Sequence, residues 1–413
     1  MLNGGKTCGA RDAVVVGGGA IGLSVARELA RRGLSVALVE RGALGAESSW
    51  AAAGMLAPQC EADARDAFFD LACASRDAYP AFADALREET GLDIELDRTG
   101  TLYLATTDED EREIARRHDW QRRAGLAVEL LTADEARSLE PRVSTRARAA
   151  LRFPRDWQVE NRRLVEALAL SCERAGVRIL EHTAALSVGT AGGRVSSVET
   201  ARGTIPAGAV VVACGAWSSQ VAVSVSASEA AVARPDGGGG DAPASRGGNG
   251  VAAPRVEPVR GQMLCFDAGA GGEFARHVLY GPRGYVVPRR GGRLLAGSTT
   301  ERAGFDKSVT DEGRAEITAH AAELAPAILG LKLTGSWAGL RPRGADDWPV
   351  IGPAAGAENL FHATAHYRNG ILLAPLTGSL VAEMIDSGAT PAALAPFSPS
   401  RFRRAAFRAV SNS

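Results

Sequence analysis

The residues best suited to chemistry open near the start of the chain. Gly17, Gly19 and Gly22 form G-x-G-x-x-G directly after the apolar run Asp12 to Val16, and Glu40 closes a second apolar run 18 residues after Gly22. In that spacing the first glycine permits a tight turn and the second lets backbone N–H groups approach a pyrophosphate. The helix that follows adds positive potential at its N-terminus. Glu40 can accept hydrogen bonds from a ribose diol, and its charge would repel a 2′-phosphate. Dinucleotide binding is therefore expected, and the motif alone leaves NAD and FAD open. Ser48 to Met55 (SSWAAAGM) is a run of mostly small residues that allows a flat, bulky ring to come close to the backbone, which favours a flavin.

These groups need a frame to hold them. Ala20 to Arg32 carries Ile21, Leu23, Val25, Ala26, Leu29 and Ala30 on a helical face, and Gly33 stops it. Strand, helix and strand thus fit within 30 residues. The periodicity predicts further helices over Asp63–Glu89, Glu109–Arg123, Arg162–Ala175, Asp311–Leu324 and Gly370–Asp386. Strands are expected over Thr101–Ala105, Val177–Glu181, Ala209–Ala213, Glu257–Phe266, Gly284–Pro288, Arg293–Gly297 and Asn359–Ala365. From Val221 to Ala253 the chain is mostly Ala, Ser, Gly and Pro without periodicity, and a flexible low-complexity insert is expected there.

Composition bounds the rest. With 413 residues, 46% of them hydrophobic, two or three domains are expected. The net charge of −1 lacks the basic footprint of a nucleic-acid binder, so a small neutral or zwitterionic partner is expected. No long apolar span and no signal-peptide pattern stands out, which gives an expectation of a cytoplasmic protein without membrane attachment. Six cysteines without a C-x-x-C pair give no zinc framework, and the six histidines read as structural, so no metal site is expected. The 48 glycines exceed the usual share, and seven of them fall in the Val221 to Ala253 stretch, so composition bias and turn geometry both contribute.

A set of segments in fixed order carries a resemblance: Val14 to Gly22, the AAAGM run, Arg65 to Phe69 (RDAFF), Pro258 to Gln262 (PVRGQ), Tyr285 to Arg289 (YVVPR), Trp337 to Pro342 (WAGLRP) and His366 to Pro375 (HYRNGILLAP). Together they resemble FAD-dependent amine oxidases of the D-amino-acid oxidase superfamily, and within it the glycine oxidases of the thiamine-biosynthesis type. The resemblance implies an α/β fold. A Rossmann-like FAD-binding domain, discontinuous over 10–90, 150–222 and 337–400, would join an α+β substrate-binding domain over 91–149 and 256–336, built on a mostly antiparallel sheet. It implies non-covalent FAD, since no cysteine follows Cys265 where covalently flavinylated relatives carry one. The implied FAD contacts are Gly17, Gly19, Ala20, Ile21, Gly22, Glu40, Arg41, Ser48, Ser49, Gly54, Met55, Ala185, Ala213, Gly215, Trp217, His366, Tyr367, Arg368, Asn369, Gly370 and Ile371.

For the substrate, the resemblance points to Arg341 and Arg368 as carboxylate-binding arginines and to Tyr285 as the tyrosine that assists them. Met55 would stand beside the flavin. Planar bidentate donors suit a carboxylate held away from water, which gives the arginines a chemical reason. Two departures from the family pattern are visible: Ala365 stands where glycine is common, and Arg283 where histidine is common. The implied reaction passes a hydride from Cα to flavin N5, with oxygen as acceptor and imine, ammonia and hydrogen peroxide as products. A homo-oligomer and a functional link to thiazole-synthesis proteins are compatible with it. Sarcosine or a small D-amino acid as substrate, a quinone as acceptor, and a flavin-binding protein without turnover stay open.

Overall fold

The computed structural model describes residues 11–225, 253–269 and 274–402. Two sheets organise them. At the centre of the first, five parallel strands lie in the order Arg178–Leu180, Val36–Val39, Arg11–Val16, Gly203–Val212 and Leu360–Thr364. Parallel strands covered on both faces should be continuously apolar, and Val14, Val15, Ala37, Leu38, Val210 and Val211 are all fully buried.

The two faces are covered differently. On one, the helices Ala20–Arg31, Ala67–Thr90, Asn161–Arg174 and Gly370–Ser387 pack on Ala13, Val15, Val36, Leu38 and Val211. On the other, the antiparallel strands Ala185–Ala191 and Arg194–Thr200 bury Val188, Val195 and Val198 against Val14, Val16, Val39 and Val210. Gly370–Ser387 is, among the described residues, the one helix long and apolar enough to cross a membrane. Its packing against Ala20–Arg31 and Ala67–Thr90 makes it a core helix here.

The second sheet has eight strands, antiparallel except where Val278–Tyr280 runs parallel to Thr101–Ala105. Its longest pair is Val256–Asp267 against Lys332–Gly344. The expected domain boundaries at 149/150 and 336/337 fall inside two of its strands, Ala149–Phe153 and Lys332–Gly344, so the chain leaves this sheet later at both points. The first long helix starts at Ala67, four residues after the expected Asp63, because the Asp66 side chain accepts from the Phe69 N–H and caps it there. The Val221 to Ala253 expectation is corrected at its start: Ala222–Val225 forms a strand parallel to Ala185–Ala191. Most of the remaining stretch lies outside the described residues.

Candidate active site

One cavity of about 440 Å³ runs between the two sheets and draws its lining from both. Its lining includes Glu40, Arg41, Ala185 and Trp217 and also Met55, Tyr285, Arg341 and Arg368. Every residue expected at the site lines it except Gly22. Gly22 works inside the protein: a Cβ there would overlap the carbonyl oxygen of Gly17, so its glycine is what lets the helix Ala20–Arg31 approach the turn. The turn itself is tied to the next strand. Glu40 accepts from the N–H of Gly18 at 2.7 Å and of Gly42 at 2.8 Å, one bond to each carboxylate oxygen, which leaves lone pairs on both for a diol.

Two long helices begin at the cavity. Neither Gly19, which caps the first, nor Asn369, which caps the last long helix, makes a side-chain cap, and neither helix has an acidic residue in its first turn. Both N-termini therefore offer positive potential to whatever fills the space. Ser49 Oγ accepts from the Ala20 N–H at 3.0 Å, and Asn161 Nδ2 donates to the Ser49 carbonyl at 2.8 Å, which fixes the start of the small-residue run. Arg289, buried, donates through Nη2 to the Ala53 carbonyl at 2.6 Å and through Nη1 to the Val159 carbonyl at 2.7 Å. Burial lowers its pKa to about 10. Trp337 Nε1 reaches the Ala51 carbonyl at 3.0 Å, and Ser48 Oγ donates to the Leu340 carbonyl, so the run is clamped between helices packed on the first sheet and a strand of the second.

Arg341 is placed by strand pairing. Val259 is its register partner, and its guanidinium lies over Gly261 of the neighbouring strand, where any Cβ would collide with it. Nη1 donates to the Thr299 carbonyl at 3.0 Å and Nη2 to Ser298 Oγ at 2.6 Å. Both partners are neutral, and Arg341 forms no ion pair among the described residues. Burial lowers its pKa accordingly. Arg368 differs: Nη2 meets Glu61 Oε1 at 3.2 Å, and that carboxylate raises the arginine's pKa. The Tyr285 hydroxyl donates to Met263 Sδ at 3.3 Å, and the residue is buried.

The profile of the DAO family, FAD dependent oxidoreductase, matches residues 12–384. The chain belongs to this family. Glycine oxidase of Geobacillus kaustophilus is 37% identical over 393 residues, covering 94% of this chain and 97% of that one. A crystal structure of glycine oxidase from the same organism superposes with a TM-score of 0.83 at 36% identity, covering 94% of this chain and 98% of that one. The bifunctional protein ThiO/ThiG of a Synechocystis strain is 31% identical over 396 residues, covering 95% of this chain and 54% of that one.

As a DAO-family oxidoreductase the chain uses FAD, and the cavity fits it. Two helix N-termini without a side-chain cap from their own N-cap residues and without first-turn acids suit an anionic cofactor, and the clamped small-residue run leaves room for a flat ring. Several lining residues were not singled out from the sequence: Glu61, Met263, Gly261 and Gly339. Gly261 and Met263 sit in or beside PVRGQ, whereas Glu61 had no signal beyond its nearness to the AAAGM run. Arg283 lies elsewhere, paired with Glu323 and away from the cavity lining. The other departure, Ala365, adopts φ +58°, a left-handed conformation that glycine takes without penalty. His366 is buried against Thr377, and burial lowers its pKa to about 3.

Proposed function

We propose that this enzyme is a glycine oxidase, converting glycine, oxygen and water to glyoxylate, ammonia and hydrogen peroxide through the imine. The observation that carries the reading is Arg341, a cavity-facing guanidinium with neutral partners only. A guanidinium has five N–H donors. Two are spent on Thr299 and Ser298, and the others remain for a carboxylate. FAD, when bound, supplies a two-electron acceptor that oxygen regenerates.

The chain's own part is placement. Arg341 anchors the carboxylate, and the Tyr285 hydroxyl, now held only by a thioether, turns to add a second donor. Ala53, Met55, Met263 and Trp337 form an apolar cluster with the Tyr285 ring, excluding water and leaving room for a small α-carbon. The N-terminus of Gly370–Ser387 offsets negative charge that develops nearby. Burial that lowers its pKa to about 3 makes His366 a weak base, and its Nε2 is engaged by Thr377, so it is assigned no proton-transfer role. We further place the imine product in thiazole formation for thiamine, a link supported by likeness to the ThiO/ThiG protein.

The test is a visible spectrum of the purified protein before and after anaerobic glycine, followed by peroxide assays with glycine, sarcosine and D-alanine. Bleaching by glycine and highest turnover with it are expected. Absence of peroxide from all three would sink the reading.

A further inference from the structure

Besides Arg41, which pairs with Glu47, the cavity wall holds two arginines in unlike electrostatic states. Arg341 has neutral partners, whereas Arg368 is paired with Glu61 at 3.2 Å, with side-chain exposures of 31% and 24%. Glu61 is not loosely placed. It ends the short helix Pro58–Glu61, whose Gln59 and Cys60 N–H groups donate to the fully buried Asp156 at 3.2 and 2.7 Å. Asp156 is in turn met by Arg76 Nη1 at 3.5 Å. The carboxylate of Glu61 is thus presented to the cavity from a backbone fixed in the core.

From this arrangement we propose that Glu61 sets the charge of the accepted substrate: by neutralising Arg368 it leaves one uncompensated cation, Arg341, and restricts the site to amines bearing a single anionic group. The inference rests on the carboxylate-binding reading of Arg341. A second carboxylate or a phosphonate on the substrate would meet Glu61 and be repelled. Without the Glu61 charge, Arg368 becomes a second anion site, and dicarboxylic amines gain.

Unreactive ligands separate charge from size. Diglycolate is a dianion, and its monoamide has nearly the same shape with one charge fewer. Isothermal titration calorimetry of the FAD-loaded protein gives both affinities, with glycolate as the reference monoanion. Wild type should prefer the monoamide by tenfold or more. Glu61→Gln should shift that ratio toward diglycolate by at least tenfold, whereas Glu61→Asp should keep the wild-type preference. Arg368→Gln should shift the ratio further toward the monoamide, and it serves if Glu61→Gln fails to fold. An unchanged ratio in both Glu61→Gln and Arg368→Gln overturns the proposal, as does wild type binding glycolate but neither larger ligand, which would put size in control. Wild type failing to bind glycolate refutes the Arg341 reading and this inference with it.

Discussion

Replacing Arg341 with methionine should separate binding from stability. The guanidinium spends one N–H on the Thr299 carbonyl and one on Ser298 Oγ. That leaves two for a forked pair to a carboxylate and one over. A hydrogen bond to a charged group contributes about 1.5–3 kcal/mol, so losing both costs roughly 3–6 kcal/mol, or about 10²–10⁴-fold in affinity. The fold should not follow. A buried cation without an acid partner contributes little to stability, and an apolar replacement of similar length is neutral or better. The freed Thr299 carbonyl and Ser298 hydroxyl return about 1 kcal/mol each on the debit side. The thermal midpoint of Arg341→Met should therefore stay within a few degrees of wild type, while calorimetry shows glycolate affinity down a hundredfold or more. Arg341→Lys keeps the charge but not the fork, and should fall between the two. A methionine variant that binds glycolate within threefold of wild type would refute this account of the site.

Glycines at the turn should divide by role. Gly22→Ala places a Cβ against the Gly17 carbonyl and should destabilise the FAD-free protein by about 1–3 kcal/mol. At Gly19 the new Cβ meets only Ser49 Oγ at 3.2 Å, so Gly19→Ala should melt near wild type yet bind FAD weakly, checked by thermal unfolding and FAD titration. Ala365→Gly relieves a left-handed alanine and should raise the urea midpoint by about 1 kcal/mol in stability. Burial raises the Asp156 pKa to about 7, above its unfolded value near 4, so the folded state holds the extra proton. That stability is complete below pH 4 and is lost as pH rises toward 7. Measured against Asp156→Asn, wild type should lose roughly 1.5–2 kcal/mol between pH 5.5 and 7, and a constant gap would contradict it.

What the sequence disclosed depended on distance along the chain. The turn from Val16 to Ala20 and the strand ending at Val39 are local, and period and glycine spacing reveal them. Arg341 was legible through its motif, but its sheet was not: Lys332–Gly344 pairs with Val256–Asp267 through backbone groups that leave no mark on side-chain type. Ala222–Val225 was read as filler because a short edge strand of Ala, Ser and Val carries no alternation. Glu61 was invisible for two reasons. Its four-residue helix is too short to show a period, and its partner Arg368 lies 307 positions away. Gly22 was legible as a motif member but not as a packing residue, since overlap with Gly17 exists only once the helix is formed.

The alternation of the chain between the two sheets also governs when the cofactor can be taken up. Gly17 and Glu40 leave the ribosome early, but Leu360–Thr364, the strand beside Gly203–Val212, and the Gly370–Ser387 helix are made more than three hundred residues later. Until then one flank of the parallel sheet lacks its neighbour, and the arginines stand on no common wall. FAD loading is thus tied to synthesis through the Gly370–Ser387 helix, and a ribosome stalled before Leu360 would hold a fingerprint without a binding site.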